Sequence, residues 1–110
     1  MIGILDYGLG NVGAFYNIYK RLNIPVCIVT DAEKIDSIDR LILPGVGSFD
    51  WAMNRLSSSG MLEELNKAVL DREIPILGVC VGMQMMAKES DEGLLKGLGW
   101  IDASVRHFSE

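Results

Sequence analysis

Apolar residues in this chain fall into two rhythms. Short, nearly continuous runs at Ile2–Leu5, Pro25–Val29, Arg40–Leu43 and Ile74–Val79 read as strands buried on both faces. Between them lie longer amphipathic stretches. Asn11–Leu22 sets Phe15, Ile18, Tyr19 and Leu22 on one side, the spacing of a helix. Helical patterns follow at Phe49–Leu56 and Met61–Arg72, separated by Ser57-Ser58-Ser59-Gly60, and again at Val81–Lys88. Trp100–Val105 reads as a fifth strand. Strand and helix in alternation predict an α/β domain with a doubly wound, mostly parallel sheet. Ligands bind such sheets beyond the carboxyl ends of the strands, where Asp6, Pro44-Gly45 and Cys80 fall.

Composition narrows the function classes. The chain has 110 residues, which allows one domain, and 49% hydrophobic with 23% charged residues suits a soluble globular protein. A net charge of −5 without a Lys/Arg cluster argues against a nucleic-acid surface. No apolar run approaches the length of a membrane span, and Met1–Asp6 lacks the basic start and apolar core of a signal peptide. Two cysteines, Cys27 and Cys80, do not make a disulfide framework. A cytoplasmic protein with reduced thiols is expected.

Two patterns compete to carry the chemistry. In Pro75–Met86, Cys80 stands between Gly78 and Gly82 where an apolar run gives way to a helical one. This is the order of a nucleophile elbow, in which a tight strand-to-helix turn presents a reactive side chain. The Val81 N–H points into the same space and can hold an oxyanion. Glycines in Pro44-Gly45-Val46-Gly47-Ser48 offer further N–H donors, and Ser48 is placed to cap the next helix. Gln84 lies about one turn after Cys80. The competing pattern is Gly8-Leu9-Gly10-Asn11-Val12-Gly13, a formal dinucleotide fingerprint, with Asp31 as a ribose-binding acid. Against it, Asp6-Tyr7 puts a carboxylate and a ring where a pyrophosphate would approach. A third reading is a non-catalytic interaction module.

Taken together, Ile4–Asn11, Leu41–Phe49, the Cys80 turn through Gln84 and Gly97–Ile101 resemble one family in order and spacing. The chain is similar along essentially its whole length to the glutamine amidotransferase subunits of imidazole glycerol phosphate synthases, a branch of the class I, triad-type glutaminases. The resemblance implies a flavodoxin-like amidotransferase fold and hydrolysis of L-glutamine to glutamate and ammonia. Cys80 then becomes the nucleophile, with Val46, Gly47 and Val81 around the oxyanion. Gly45, Gly47, Gln84 and Glu92 become substrate-binding positions, and Asn11 falls where the family meets its partner. That partner is a (β/α)8-barrel cyclase of histidine biosynthesis, so a heterodimer is implied. No cofactor and no metal enter the scheme. A paralogue feeding ammonia to another pathway remains an open alternative.

The family's base and orienting acid sit in a His-Pro-Glu motif that this sequence does not contain. Residues 1–110 are therefore read as the N-terminal half of a domain of about two hundred residues, ordinary for one α/β domain. His107 is the only histidine. It stands among Arg106, Phe108 and Ser109 with no scaffold after it, and a base must be held by packing and a third group. The 110-residue chain alone is expected to be inactive.

Overall fold

A computed structural model describes residues 1–106. Four strands, β1 (Ile2–Leu5), β2 (Val26–Val29), β3 (Arg40–Leu43) and β4 (Ile76–Gly78), form one parallel sheet in the order β2-β1-β3-β4. The register sets Ile4 between Ile28 and Ile42, and Leu43 opposite Gly78. Because alternate residues of a strand face opposite ways, each strand serves two cores. Ile4, Val26 and Ile42 pack under α1 (Val12–Arg21) with Val12, Phe15, Tyr16 and Tyr19. Leu5, Val29, Leu41 and Leu43 face the other way. There they meet Ile35 of α2 (Ala32–Ile35), Phe49 and Leu56 of α3 (Phe49–Ser58), Leu65 of α4 (Leu62–Asn66) and Met85 of α5 (Val81–Met85). Burying one such side chain contributes about 1.5–3 kcal/mol. The sheet is doubly wound, and its strand order reverses between β1 and β3, the crevice where such sheets bind ligands.

The elements depart from the sequence pattern at several points, the first four for reasons local to each. Helix α2 is a single turn, started by the Asp31 carboxylate accepting from the Lys34 N–H, and too short for periodicity to register. The helix expected over Met61–Arg72 changes pitch after Asn66 into a π-helical turn, Lys67–Asp71, closed by Arg72 N–H to Lys67 O. Strand β4 is shorter than Ile74–Val79, because the Ile74 N–H turns back to Ala68 O and Pro75 has no N–H to donate. Finally, Trp100–Val105 is not a fifth strand of the main sheet. Only β6 (Ser104–Val105) is extended there, pairing in parallel with β5 (Glu89–Ser90) in a separate ribbon. Among the described residues, no helix is long and apolar enough to cross a membrane.

Candidate functional site

All four main strands are parallel, so the loops after β1, β3 and β4 leave the sheet at one edge. Cys80 lies in the last of them, exposed, with φ 55° and ψ −124°. A β-carbon makes this backbone region unfavourable, and holding a residue there costs on the order of 1–3 kcal/mol. The strain is held from both sides. Val79 N–H bonds to Leu43 O at 3.0 Å, extending the β3 pairing to the doorstep of the turn. Beyond it, Met83 N–H bonds to Cys80 O at 3.0 Å and starts α5. The strand-to-helix switch expected at Gly78–Gly82 is therefore present.

The turn is locked to the loop after β3 by backbone packing. A β-carbon at Gly82 would lie 1.9 Å from Leu43 O, and one at Gly45 would lie 2.7 Å from the Gly82 nitrogen. Neither neighbour is a side chain that could swing away. Only glycine at both positions lets the two loops touch, and this brings Gly45 beside Val81–Gly82. Among the described residues, the N–H groups of Val46, Gly47 and Val81 have no hydrogen-bond acceptor. Ser48 caps α3 as expected, accepting from Trp51 N–H at 3.2 Å. The edge thus combines an exposed thiol with unpaired donors from two loops, a composition suited to acyl transfer.

Tyr7, in the loop after β1, ties that loop to these two. Its ring is buried, its hydroxyl donates to Pro44 O at 2.6 Å, and the phenol oxygen lies 3.4 Å from Met85 Sδ on α5. Desolvation pushes the phenol up to about 12, so it remains a neutral donor at ordinary pH. In the sequence this residue registers only as an obstacle to a pyrophosphate.

The other expected positions spread around this edge. Gln84 is half-buried on α5, one turn after Cys80. Glu92 is exposed in the loop after β5, its N–H donating to Ser90 Oγ. Asp50, in the first turn of α3, pins that loop by accepting from Leu94 N–H at 2.8 Å and Leu95 N–H at 2.9 Å. An acidic residue in a first helical turn is the usual complement to the helix dipole, so nothing in the sequence distinguishes Asp50 as a clamp. Asn11 caps α1, its side chain accepting from Ala14 N–H at 3.2 Å. His107 lies outside the described residues.

Gly8–Gly13 has another task than holding a dinucleotide. A β-carbon at Gly10 would meet Pro44 Cβ at 2.7 Å, so the β3 loop fills the ground a pyrophosphate needs. At Gly13 a β-carbon would find no heavy atom within 4 Å, whereas the third glycine of a fingerprint serves close helix–strand packing. Asp31 spends its carboxylate on capping α2.

Gly97–Ile101 has a role that the sequence alone does not disclose. Helix α5 ends at Met85, short of the expected Lys88, leaving carbonyls that need donors. Leu98 N–H takes Met85 O at 2.7 Å, Ile101 N–H takes Met86 O, Gly99 N–H takes Ala87 O and Gly97 N–H takes Lys88 O. The segment closes the far end of the helix that Cys80 begins, which is why it cannot join the main sheet.

Comparison with known proteins agrees with this geometry. Residues 9–109 match the model of the SNO glutamine amidotransferase family. The chain is 56% identical over 108 residues to the imidazole glycerol phosphate synthase subunit HisH of Bdellovibrio bacteriovorus, covering 98% of this chain and 53% of that protein. It is 50% identical over 109 residues to HisH of Leptospira interrogans, again over 53% of that protein. A solved structure of a glutamine amidotransferase superposes with a TM-score of 0.77 at 26% identity, covering 96% of this chain and 55% of that one. The chain spans about half the length of the curated relatives it matches.

Proposed function

The chain belongs to the glutamine amidotransferase family, and from that premise we propose that it carries the nucleophile of a glutaminase subunit of imidazole glycerol phosphate synthase. Cys80 thiolate adds to the side-chain carbonyl carbon of glutamine. The carbonyl π pair moves onto oxygen, where N–H groups of Val81 and of the Val46–Gly47 loop stabilise it. The C–N bond then breaks, the amine takes a proton and leaves as ammonia, and a glutamyl thioester remains on Cys80. Water hydrolyses the thioester to glutamate and restores the thiol. The proton comes from the histidine of the family's His-Pro-Glu motif, which this sequence does not contain. Gly45, Gly47, Gln84 and Glu92 hold the amino-acid end of the substrate, a carboxylate being the natural partner for its ammonium group.

Ammonia released into bulk water is protonated and ceases to be a nucleophile. A closed path to the enzyme that consumes it follows from that chemistry, and the HisH relatives are named as subunits of a synthase. The partner in this reading is the (β/α)8-barrel cyclase of histidine biosynthesis, met through the edge that carries Asn11, in a cytoplasmic heterodimer. The observation that supports the reading most strongly is the exposed, strained Cys80 in a turn whose Gly82 packs against a glycine loop with free N–H donors. The test uses the complete subunit with its cyclase. Cys80→Ser abolishes glutamine-dependent turnover and leaves ammonia-dependent turnover intact, since only ammonia production uses the thiol. Glutamine-dependent turnover surviving in Cys80→Ser contradicts the proposal.

A further inference from the structure

The oxyanion loop is built from residues that do not hold their own shape. Gly45 and Gly47 flank Val46, Gly47 sits at φ 85°, and Val46 is half exposed. Glycine peptides rotate at little steric cost, so sequence alone leaves the direction of these N–H groups unspecified. Yet an oxyanion hole works only if its donors are aimed before the charge appears, because reorienting them during the reaction cancels the gain. Something must fix the loop.

Two contacts reach it from outside. One is the backbone approach of Gly45 to Gly82, which sets distance. The other is the Tyr7 hydroxyl, which donates to Pro44 O at 2.6 Å across 37 residues of sequence. A peptide unit is planar, and among the described residues none is cis. Fixing the Pro44 oxygen therefore fixes the Gly45 N–H on the opposite side of the same plane, and with it the direction in which the loop departs. The phenol oxygen also lies where a Gly45 β-carbon would come within 3.0 Å of it, and beside Met85 on the helix that Cys80 opens. One hydroxyl thus meets both the loop and the nucleophile's helix. We propose that Tyr7 is a positioning residue of the glutaminase site, holding the Pro44–Gly45 peptide plane as the fixed base from which the Val46 and Gly47 N–H groups reach the oxyanion. The inference rests on the proposed glutaminase function. Its donor is secure, because the buried phenol stays protonated across the working pH range.

Tyr7→Phe deletes the donor and keeps the ring. In the complete subunit with its cyclase, the variant lowers kcat for glutamine hydrolysis roughly ten- to a hundredfold, less than or equal to the loss of one oxyanion donor, with KM within about twofold. Alkylation of Cys80 by iodoacetamide, a displacement that forms no oxyanion, keeps its rate. Ammonia-dependent turnover is also unchanged, which reports an intact complex. Met85→Leu removes the thioether neighbour but leaves the Tyr7–Pro44 bond, and keeps kcat. An unchanged kcat in Tyr7→Phe overturns the inference. So does a parallel loss of Cys80 alkylation and ammonia-dependent turnover, or failure to fold, either of which assigns Tyr7 to packing alone. The parent reading fails separately: it falls if the unmutated complex does not hydrolyse glutamine or if Cys80→Ser still does.

Discussion

Cys27 lies within one strand of the parallel sheet and Cys80 just beyond another, and the two differ in exposure and in backbone conformation. Cys27 sits in the middle of β2, opposite Gly3 in the ladder, half-buried and packed against the core beneath α2 to α5. Regular extended backbone turns its thiol into the protein. Cys80 stands two residues past the last ladder position, Gly78, in a backbone conformation that only its neighbours can enforce, and its thiol is exposed. Burial makes the first an ordinary small hydrophobe. The strained turn presents the second to solvent, as the proposed nucleophile requires. What separates them is not the residue but whether the chain continues straight or is forced to turn, and the forcing comes from Gly45 and Gly82.

That contrast can be broken most severely at its hinge. Gly82→Ala places a β-carbon 1.9 Å from Leu43 O, and the backbone has to give. Glutamine-dependent kcat is expected to fall by a hundredfold or more, on the order of losing the aligned oxyanion donors, with about 1–3 kcal/mol lost in urea unfolding. The core that supports both strands comes next. Leu56→Ala, at a fully buried site on α3, is expected to cost about 2–5 kcal/mol by the same unfolding assay, with little change in kcat while the chain stays folded. A smaller effect belongs to the clamp on the Glu92 loop. Asp50→Ala frees the Leu94 and Leu95 N–H groups and is expected to raise KM for glutamine about fivefold, the equivalent of roughly 1 kcal/mol, with kcat unchanged. Cys27→Ala should be smaller still in activity, within about twofold, and cost on the order of 1 kcal/mol in stability.

The smallest effect sits on the surface. The N-terminal ammonium beside Asp39 holds that carboxyl below its usual value, so the pair stabilises the fold above the unfolded-state carboxylate range. Its contribution is lost as pH falls through the lowered value. Both groups are exposed, so Asp39→Asn should shift the acid limb of a thermal-melt profile barely measurably.

Much of this contrast is legible in the sequence, because strong local signals produce it. Apolar runs of strand length mark β1 and β3 to the residue, and Gly78-Val79-Cys80-Val81-Gly82 announces a turn whatever surrounds it. Ser48 and Asn11 declare themselves as caps by type and position. What sequence hides is decided by partners far along the chain. Helix α5 stops early because Gly97–Ile101 returns to take its carbonyls, and that same return removes Trp100 from the sheet. Tyr7 reads as a bulky intrusion until Pro44 O is found 37 residues away in sequence and 2.6 Å away in space. Asp50 reads as a helix-dipole residue until the loop at Leu94 and Leu95 closes on it.

The central claim is that the fold presents Cys80 and withholds Cys27. Diazo-oxo-norleucine, a glutamine-like electrophile, tests it directly in the complete subunit bound to its cyclase, with peptide mapping by mass spectrometry as the readout. The account predicts labelling of Cys80 that goes to completion in step with loss of glutamine-dependent turnover, excess glutamine protecting, while Cys27 stays unmodified. Labelling of Cys27 at a comparable rate, or inactivation with Cys80 unlabelled, contradicts it.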